Sequence, residues 1–480
     1  MTAKARPLAV LLSLFLAVSF FPATGHCDGN DLLKHPREMS FPNLTFAVPK
    51  AEKAVLSNGL SVYLLEDSDL PVIRISALIR TGSMFDPPGM SGVADLTART
   101  IRNGGTIFQT PRAINEALEA MGAQIEFHMD TEHGSAGLFS RTGDFPRVLS
   151  IFAELLTDPG FDPSQFDLAK KAAEESIRRQ NDTPESIAAR EFRRALYRGN
   201  PRGEVPTLES IGKIQRGDLI AFYRRYYQPN NMILGVSGDF KKSEMVESLE
   251  KAFRNWSRAS LEIPSIPAPE PLPGRSVYYA AKDLTQSTIY LGQISVPFDH
   301  PDYYPLQVLN YIMGGGGFSS LLTREIRLNR GLAYSVGSYY QGHVGYGVLA
   351  AYCQTKSEST HEAISLIIGT MEDLKKNPPG EESLAWAKFS LINKFIFSFT
   401  SPEQTLQQHM WVEYDRRPED LLEKYRDRIA AVTPEDIARV AREYLTPENS
   451  VLLVVGKEEN FDRPLSTFGE VKKVELKKYR

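Results

Sequence analysis

The sequence predicts an α+β protein made of two homologous halves, each an antiparallel-rich sheet covered by helices. Three observations carry that prediction: a segment repeated at constant offset, a proline-rich connector near the middle of the chain, and strand-period and helix-period segments that do not alternate regularly. The repeat comes first. Asp218 to Gly238 and Asp436 to Gly456 align without a gap, with eight identities in 21 positions, all 218 residues apart. They include Tyr226 with Tyr444, Pro229 with Pro447 and Asn231 with Asn449. A constant offset over that stretch marks duplication of a unit of roughly 200 residues rather than a short solenoid repeat.

The elements follow in chain order. Lys4 and Arg6 precede a 14-residue run from Leu8 to Phe21 that is apolar apart from Ser13 and Ser19, and small residues follow it. A charged start, a short apolar run and small residues are the pattern of a secretory signal peptide, placed here at residues 1–27. The run falls short of the roughly 20 residues that span a bilayer. Export is therefore expected (periplasmic or secreted if the source is bacterial), with membrane contact only through the signal peptide. The first half, residues 28–258, opens with Gly59–Glu66 and Val72–Ile79, which alternate as half-buried strands. Helix-period segments follow at Val93–Ile101, Ala113–Met121, Phe145–Leu156 and Gln165–Gln180. It ends in the first repeat: a helix finishing at Tyr226, a Pro-Asn turn, and an apolar strand running into Gly238.

The connector spans residues 259–275 and holds five prolines between Pro264 and Pro273. Such a stretch cannot be helix or interior strand and favours an extended, semi-rigid chain. The second half, residues 276–480, closes with the second repeat.

Composition excludes several functions. The chain has 55 Lys and Arg against 59 Asp and Glu, a formal charge of −4, and no long basic run, which argues against nucleic acid as partner. Two cysteines, Cys27 and Cys353, cannot form a disulfide framework or a cysteine-rich metal cluster. No two of the eight histidines lie three or four residues apart, so no helical histidine pair exists. The richest group of metal-ligand types runs from Glu126 to His133. Read as a strand, it places Glu126, His128, Asp130 and Glu132 on one face. That face could ligate a metal, and a polar strand face beside water explains it equally well.

One segment ties these features to a family. Gly92-Val-Ala-Asp-Leu-Thr-Ala-Arg-Thr-Ile-Arg-Asn-Gly-Gly-Thr106 follows an apolar strand and opens a helix. Together with the duplicated plan, Leu56-Ser-Asn-Gly-Leu60, and the run from Gly314 through Arg327 to Tyr334, it resembles the pitrilysin-like (M16, M16B-type) zinc peptidases over almost the whole mature chain. The resemblance implies that the halves face each other as a clamshell. It also puts an inverted zinc motif, His-x-x-Glu-His, at Asp95, Ala98 and Arg99. The motif is gone. Zinc of this kind needs two neutral imidazoles a helical turn apart, a third ligand, and a carboxylate base for the bound water. These positions offer a carboxylate, a methyl and a cation on one helix face, and Asp95 can pair with Arg99 at i,i+4. The third ligand would fall near Glu174 or Glu175, which without the histidines read as solvated helix charges.

The second half keeps the family's pattern. A Gly-rich turn, Gly314 to Gly317, precedes Arg327 and Tyr334, seven residues apart. Close backbone approach or a flexible turn fits those glycines better than a phosphate loop, since no Gly-Lys-Ser/Thr follows. The resemblance assigns Arg327 and Tyr334 to substrate binding: a guanidinium and a phenol can hydrogen-bond a substrate carbonyl and the charge developing on it. Taken alone, Arg327 covering apolar surface and Tyr334 as a half-buried strand aromatic would serve as well.

The resemblance thus implies a non-catalytic, substrate-contacting subunit of a heteromeric zinc metallopeptidase acting on peptides or unfolded proteins. It would bind no cofactor itself, the zinc residing in an M16 paralogue that completes a heterodimer. Two alternatives stand beside it: an M16-fold binding or assembly protein with no proteolytic role, and an independent peptidase with an atypical metal site around His128.

Overall fold

The computed structural model describes residues 46–477; the expected signal segment 1–27 lies outside them. Two six-stranded sheets organise the chain, one per half. The first half runs β1 (Glu52–Val55), β2 (Ser61–Glu66), β3 (Val72–Ile79), α1 (Val93–Asn103), α2 (Pro111–Met121), β4 (Gln124–Met129), β5 (Gly134–Arg141), α3 (Phe145–Thr157), α4 (Pro163–Arg179), α5 (Pro184–Leu196), α6 (Leu208–Lys213), α7 (Arg216–Tyr226), β6 (Met232–Gly238) and α8 (Lys242–Phe253). The second runs β7 (Ser276–Ala281), β8 (Gln286–Ser295), α9 (Tyr303–Asn310), β9 (Ala333–Gly342), β10 (Gly347–Lys356), α10 (Thr360–Lys376), α11 (Glu381–Ile396), α12 (Pro402–Tyr414), α13 (Leu421–Ala430), α14 (Pro434–Tyr444), β11 (Val451–Gly456) and β12 (Val471–Val474). β3 coincides with its expected span, and α1, α2, α3 and α4 lie within two residues of theirs.

The strand orders are β1-β2-β6-β3-β5-β4 and β12-β7-β11-β8-β10-β9, so the sheets superimpose strand for strand. Both are antiparallel apart from the β2–β6 pair in the first and the β7–β11 and β12–β7 pairs in the second. The sixth strand breaks the symmetry. β1 arrives from the start of its half and runs antiparallel to β2, whereas β12 arrives from the end of its half and runs parallel to β7.

The 218-residue offset reaches further than the sequence repeat revealed. α7 and α14 begin and end 218 residues apart, and so do the starts of α4 and α11 and of α5 and α12. Local chemistry explains the helix starts. Thr183 and Ser401 each accept a hydrogen bond from the third helical amide, with Pro184 and Pro402 at the first helical position. Thr433 and Asp436 close a capping box at α14, where Gln215 and Asp218 do so at α7.

Helices cover both faces of each sheet. Most helices do pack on one face, around Ile75, Leu96 and Phe152 in the first half and Leu291, Ile364 and Val440 in the second. The opposite faces are covered by helices exchanged between the halves. α5 lays Ile187, Phe192 and Leu196 on Val348, Val451 and Leu453 of the second sheet. α12 lays Leu406 and Met410 on Leu78 and Ile233 of the first. A sheet half-covered by its own helices leaves an apolar face that another element must bury. Glycines let these helices sit close: a Cβ at Gly292 would lie 2.7 Å from the Phe192 ring, and one at Gly235 2.5 Å from the Met410 sulfur.

Residues 259–275 carry no helix or strand. Their backbone is nevertheless held, since the Pro267 carbonyl accepts from Asn200 (2.8 Å) and Arg202 (3.0 Å), and the Ala259 carbonyl from Asn230 (3.0 Å). Among the described residues no helix is long and apolar enough to cross a membrane.

Candidate functional site

α1 holds the three degenerate zinc-motif positions. Asp86 fixes its start, its carboxylate accepting from the backbone amides of Gly92 (2.6 Å) and Ala94 (2.7 Å). Burial pushes the Asp86 carboxyl up to about 7, against the pull of those two amides. Further along the helix, the Arg99 Nε donates to Asp95 Oδ2 at 2.7 Å, the pairing the spacing predicted. Of the three positions that share this helix face, Ala98 is the buried one. It is 1% exposed and packs in the core, while Asp95 and Arg99 stand in water. The helix therefore presents a closed ion pair where a zinc ion would need lone pairs. A dication there would meet a guanidinium already paired with Asp95, so the residues do not fit the metal.

On α4, Glu175 pairs with Arg179 at 2.7 Å, and Glu174 lies 3.6 Å from Arg178. Both acids are thus paired helix charges beside solvent.

The Glu126-to-Glu132 group divides. β4 ends at Met129, and only Glu126 and His128 share its exposed face, 3.3 Å apart. Asp130 turns the hairpin, its amide donating to the His133 carbonyl at 2.8 Å. Glu132 leaves the strand face altogether. It enters the seam between the halves, where Arg202 (2.5 Å), His343 (2.7 Å) and the Tyr346 hydroxyl (3.1 Å) converge on its carboxylate. Burial raises this carboxyl, and the bonds from His343 and Arg202 more than offset it, holding it down at about 2. The Tyr414 hydroxyl, on α12, donates to the Glu132 carbonyl at 2.8 Å. Sequence gave no signal for this knot, because its partners are 70 or more residues from Glu132. Beside it, between the exchanged helices, lies a cavity of about 1100 Å³ that Arg80, Arg193, Trp411 and Ile263 help to line.

The second half leaves Tyr334 in the open with Arg327 half-buried beside it. Tyr334, second residue of the edge strand β9, is 83% exposed, which removes the reading of it as a half-buried strand aromatic. The Arg327 guanidinium sits between two rings, 4.6 Å from the centre of Tyr334 and 4.8 Å from that of Phe318. Phe318, not foreseen from sequence, stands on the Gly-rich turn and is 65% exposed. The glycines allow close approach: a Cβ at Gly314 would lie 2.5 Å from the Ser338 amide of β9, and one at Gly315 2.7 Å from the Asn310 side chain. Instead of entering a plain helix, the run passes through two π-helical segments, Tyr311–Gly315 and Thr323–Asn329, the second carrying Arg327. π-turns commonly accompany functional sites.

Two family models match this chain: "Insulinase (Peptidase family M16)" over residues 62–206 and "Peptidase M16 inactive domain" over residues 213–391. The chain belongs to the M16 peptidase family. An uncharacterized zinc protease of Bacillus subtilis, YmxG, is 23% identical over 405 residues, covering 83% of this chain and 96% of that protein. Subunit 1 of the bovine mitochondrial cytochrome b-c1 complex is 21% identical over 318 residues, covering 64% of this chain and 65% of its own. Among solved structures, a peptidase M16 inactive domain from Pseudomonas fluorescens superimposes with a TM-score of 0.79 at 24% identity, covering 87% of this chain and all of that one. A Helicobacter pylori protease does so with a TM-score of 0.76 at 21% identity, over 85% of this chain. This M16 chain therefore shares its fold with peptidases while its own zinc-motif positions carry an ion pair and a buried methyl.

Proposed function

We propose that this M16 chain is the non-catalytic, substrate-contacting subunit of a two-chain zinc peptidase acting on peptides or unfolded proteins. A zinc-bearing paralogue supplies the metal and the base, and this chain supplies Arg327 and Tyr334. One observation carries the reading. The first half presents Asp95 bonded to Arg99 where the metal motif would stand, whereas the second half leaves Tyr334 exposed on an edge strand with the half-buried Arg327 against its ring. A tyrosine kept for packing alone would be covered. In this position the guanidinium and the phenol can donate to a peptide carbonyl and to the oxyanion that forms from it. Export, expected from residues 1–27, belongs to the same proposal and would place the complex outside the cytoplasm.

The test is reconstitution with a zinc-bearing M16 paralogue, scored as hydrolysis of a quenched fluorescent peptide. The mixture should exceed the sum of its parts. Arg327→Ala in this chain should lower kcat/KM by about 10²-fold, the usual scale for an oxyanion donor. An unchanged rate in that variant would overturn the proposal.

A second reading, an M16-fold binding or assembly protein without proteolytic role, draws on the similarity to a cytochrome b-c1 complex subunit. It predicts a stable complex whose function ignores both Arg327 and Tyr334.

A further inference from the structure

Because the fold occurs twice, each helix of one half has a counterpart that serves as its control. α4 and α11 align without a gap, and their buried sides match. Phe166 and Leu384 are both buried, Ala169 recurs as Ala387, and Lys170 recurs as Lys388. The register is fixed by a shared bond: Lys170 donates to the Ile214 carbonyl at 2.9 Å, and Lys388 to the Val432 carbonyl, again 218 residues on, at 2.8 Å.

The other sides differ in kind. Where α4 has Lys171, Glu174, Glu175, Arg178 and Arg179, the second copy has Phe389, Ile392, Asn393, Ile396 and Phe397. From Phe389 to Phe397 the single charged residue is Lys394. Trp386 stacks with Phe389, ring centres 5.9 Å apart, and Trp386, Phe389 and Phe397 are 53%, 59% and 69% exposed. Solvation explains the charged copy. In the second copy Ile392 packs half-buried on the core, whereas Phe389 and Phe397, in place of Lys171 and Arg179, and Trp386, in place of the exposed Leu168, stay exposed.

We infer that the face formed by Trp386 and Phe389 of α11 and by Phe397, just past its end, binds large apolar side chains of an extended polypeptide substrate. The inference rests on the reading that the second half meets substrate. α11 packs against Tyr311–Gly315, the segment that leads into the Phe318 turn, so the helix that carries these rings lies beside the element that carries Phe318. Its size suits a peptide. Three rings exposed to this degree offer roughly 300–400 Å², well below the roughly 800 Å² per partner of a stable protein interface. A lipid-binding helix would carry a basic row beside its apolar face, whereas α11 opens with Glu381 and Glu382 and ties Lys388 to a backbone carbonyl.

The experiment uses the purified chain alone, with no zinc and no second subunit. Fluorescence anisotropy compares a short labelled peptide bearing regularly spaced Phe with a twin of equal charge bearing Ser at those positions. The Phe peptide should bind about tenfold more tightly. Phe389→Lys with Phe397→Arg, the residues of the first copy, should abolish that preference while far-UV circular dichroism and Tm stay unchanged. Trp386→Ser, tested separately, should reduce it. Equal binding of the two peptides, or a preference that survives the paired substitution, would overturn the inference. So would sedimentation of the wild type as a dimer that the substitution dissociates, or ring-dependent binding to phosphatidylglycerol vesicles without peptide preference. Because hydrolysis is not measured, the outcome is independent of whether Arg327 contributes to catalysis in a mixture.

Discussion

Lys170 reaches the carbonyl of Ile214 in the first half, and Lys388 reaches the carbonyl of Val432 in the second. Inward-facing contacts of this sort were kept in both copies after duplication. The outward faces diverged. α1 closed its zinc-motif positions with the Asp95–Arg99 pair, while the second half left Phe318 and Tyr334 standing in solvent on either side of a half-buried Arg327. Packing constrains volume and polarity at every buried position, so the core resists change. The surface is free to lose one chemistry and keep another.

The comparison can be broken most drastically by returning the missing chemistry. Asp95→His with Arg99→His places two imidazoles at i,i+4 on α1. Glu174 or Glu175 must then part from its arginine to complete the site. Zinc content by mass spectrometry should rise from none to about one ion per chain. No uptake would mean that more than side chains was lost from the first half.

The seam between the halves comes next in size. Glu132→Gln leaves Arg202, 6% exposed, without its carboxylate. Removing one partner of a buried pair costs about 3–5 kcal/mol. Urea unfolding should show that loss, and His343→Gln a smaller one. The same group sets an acid limit. The Glu132 carboxyl sits at about 2 in the folded chain, below its ordinary 4.5. A depressed carboxyl contributes stability above the ordinary value and loses it as pH falls through the folded one. The contribution, on the order of 3 kcal/mol, should therefore disappear between pH 4.5 and 2 and be absent from Glu132→Gln.

Smaller effects sharpen the contrast. Thr433→Ala removes a capping box from α14 and should cost about 1 kcal/mol, with less lost for Gln215→Ala at α7, where the weaker capping residue stands. Arg99→Ala breaks only an exposed i,i+4 pair and should change stability by less than about 0.5 kcal/mol. A large loss there would show that the pair is structural rather than a remnant of a dismantled site.

Much of this molecule was legible in its sequence because the information is local. Periodicity gave β3 to the residue and α1 to α4 within two, since burial on one face repeats every second or every 3.6 residues. The constant offset gave the duplication, and spacing alone gave the Asp95–Arg99 bond. Spacing put Asp95, Ala98 and Arg99 on one helix face but could not say that Ala98 is buried there, because it does not tell where the sheet lies behind the helix. Glu132 was misplaced because β4 ends three residues earlier than its alternating pattern suggests. The sequence by itself thus determined the two copies, their elements and the absence of the zinc motif. Only the tertiary structure decided that α5 and α12 change places, that Glu132 bonds to Arg202 and His343 across the seam, and that Tyr334 faces water. Those outcomes depend on partners far apart in the chain, and an apolar stripe or a carboxylate specifies what it needs without specifying which distant segment supplies it.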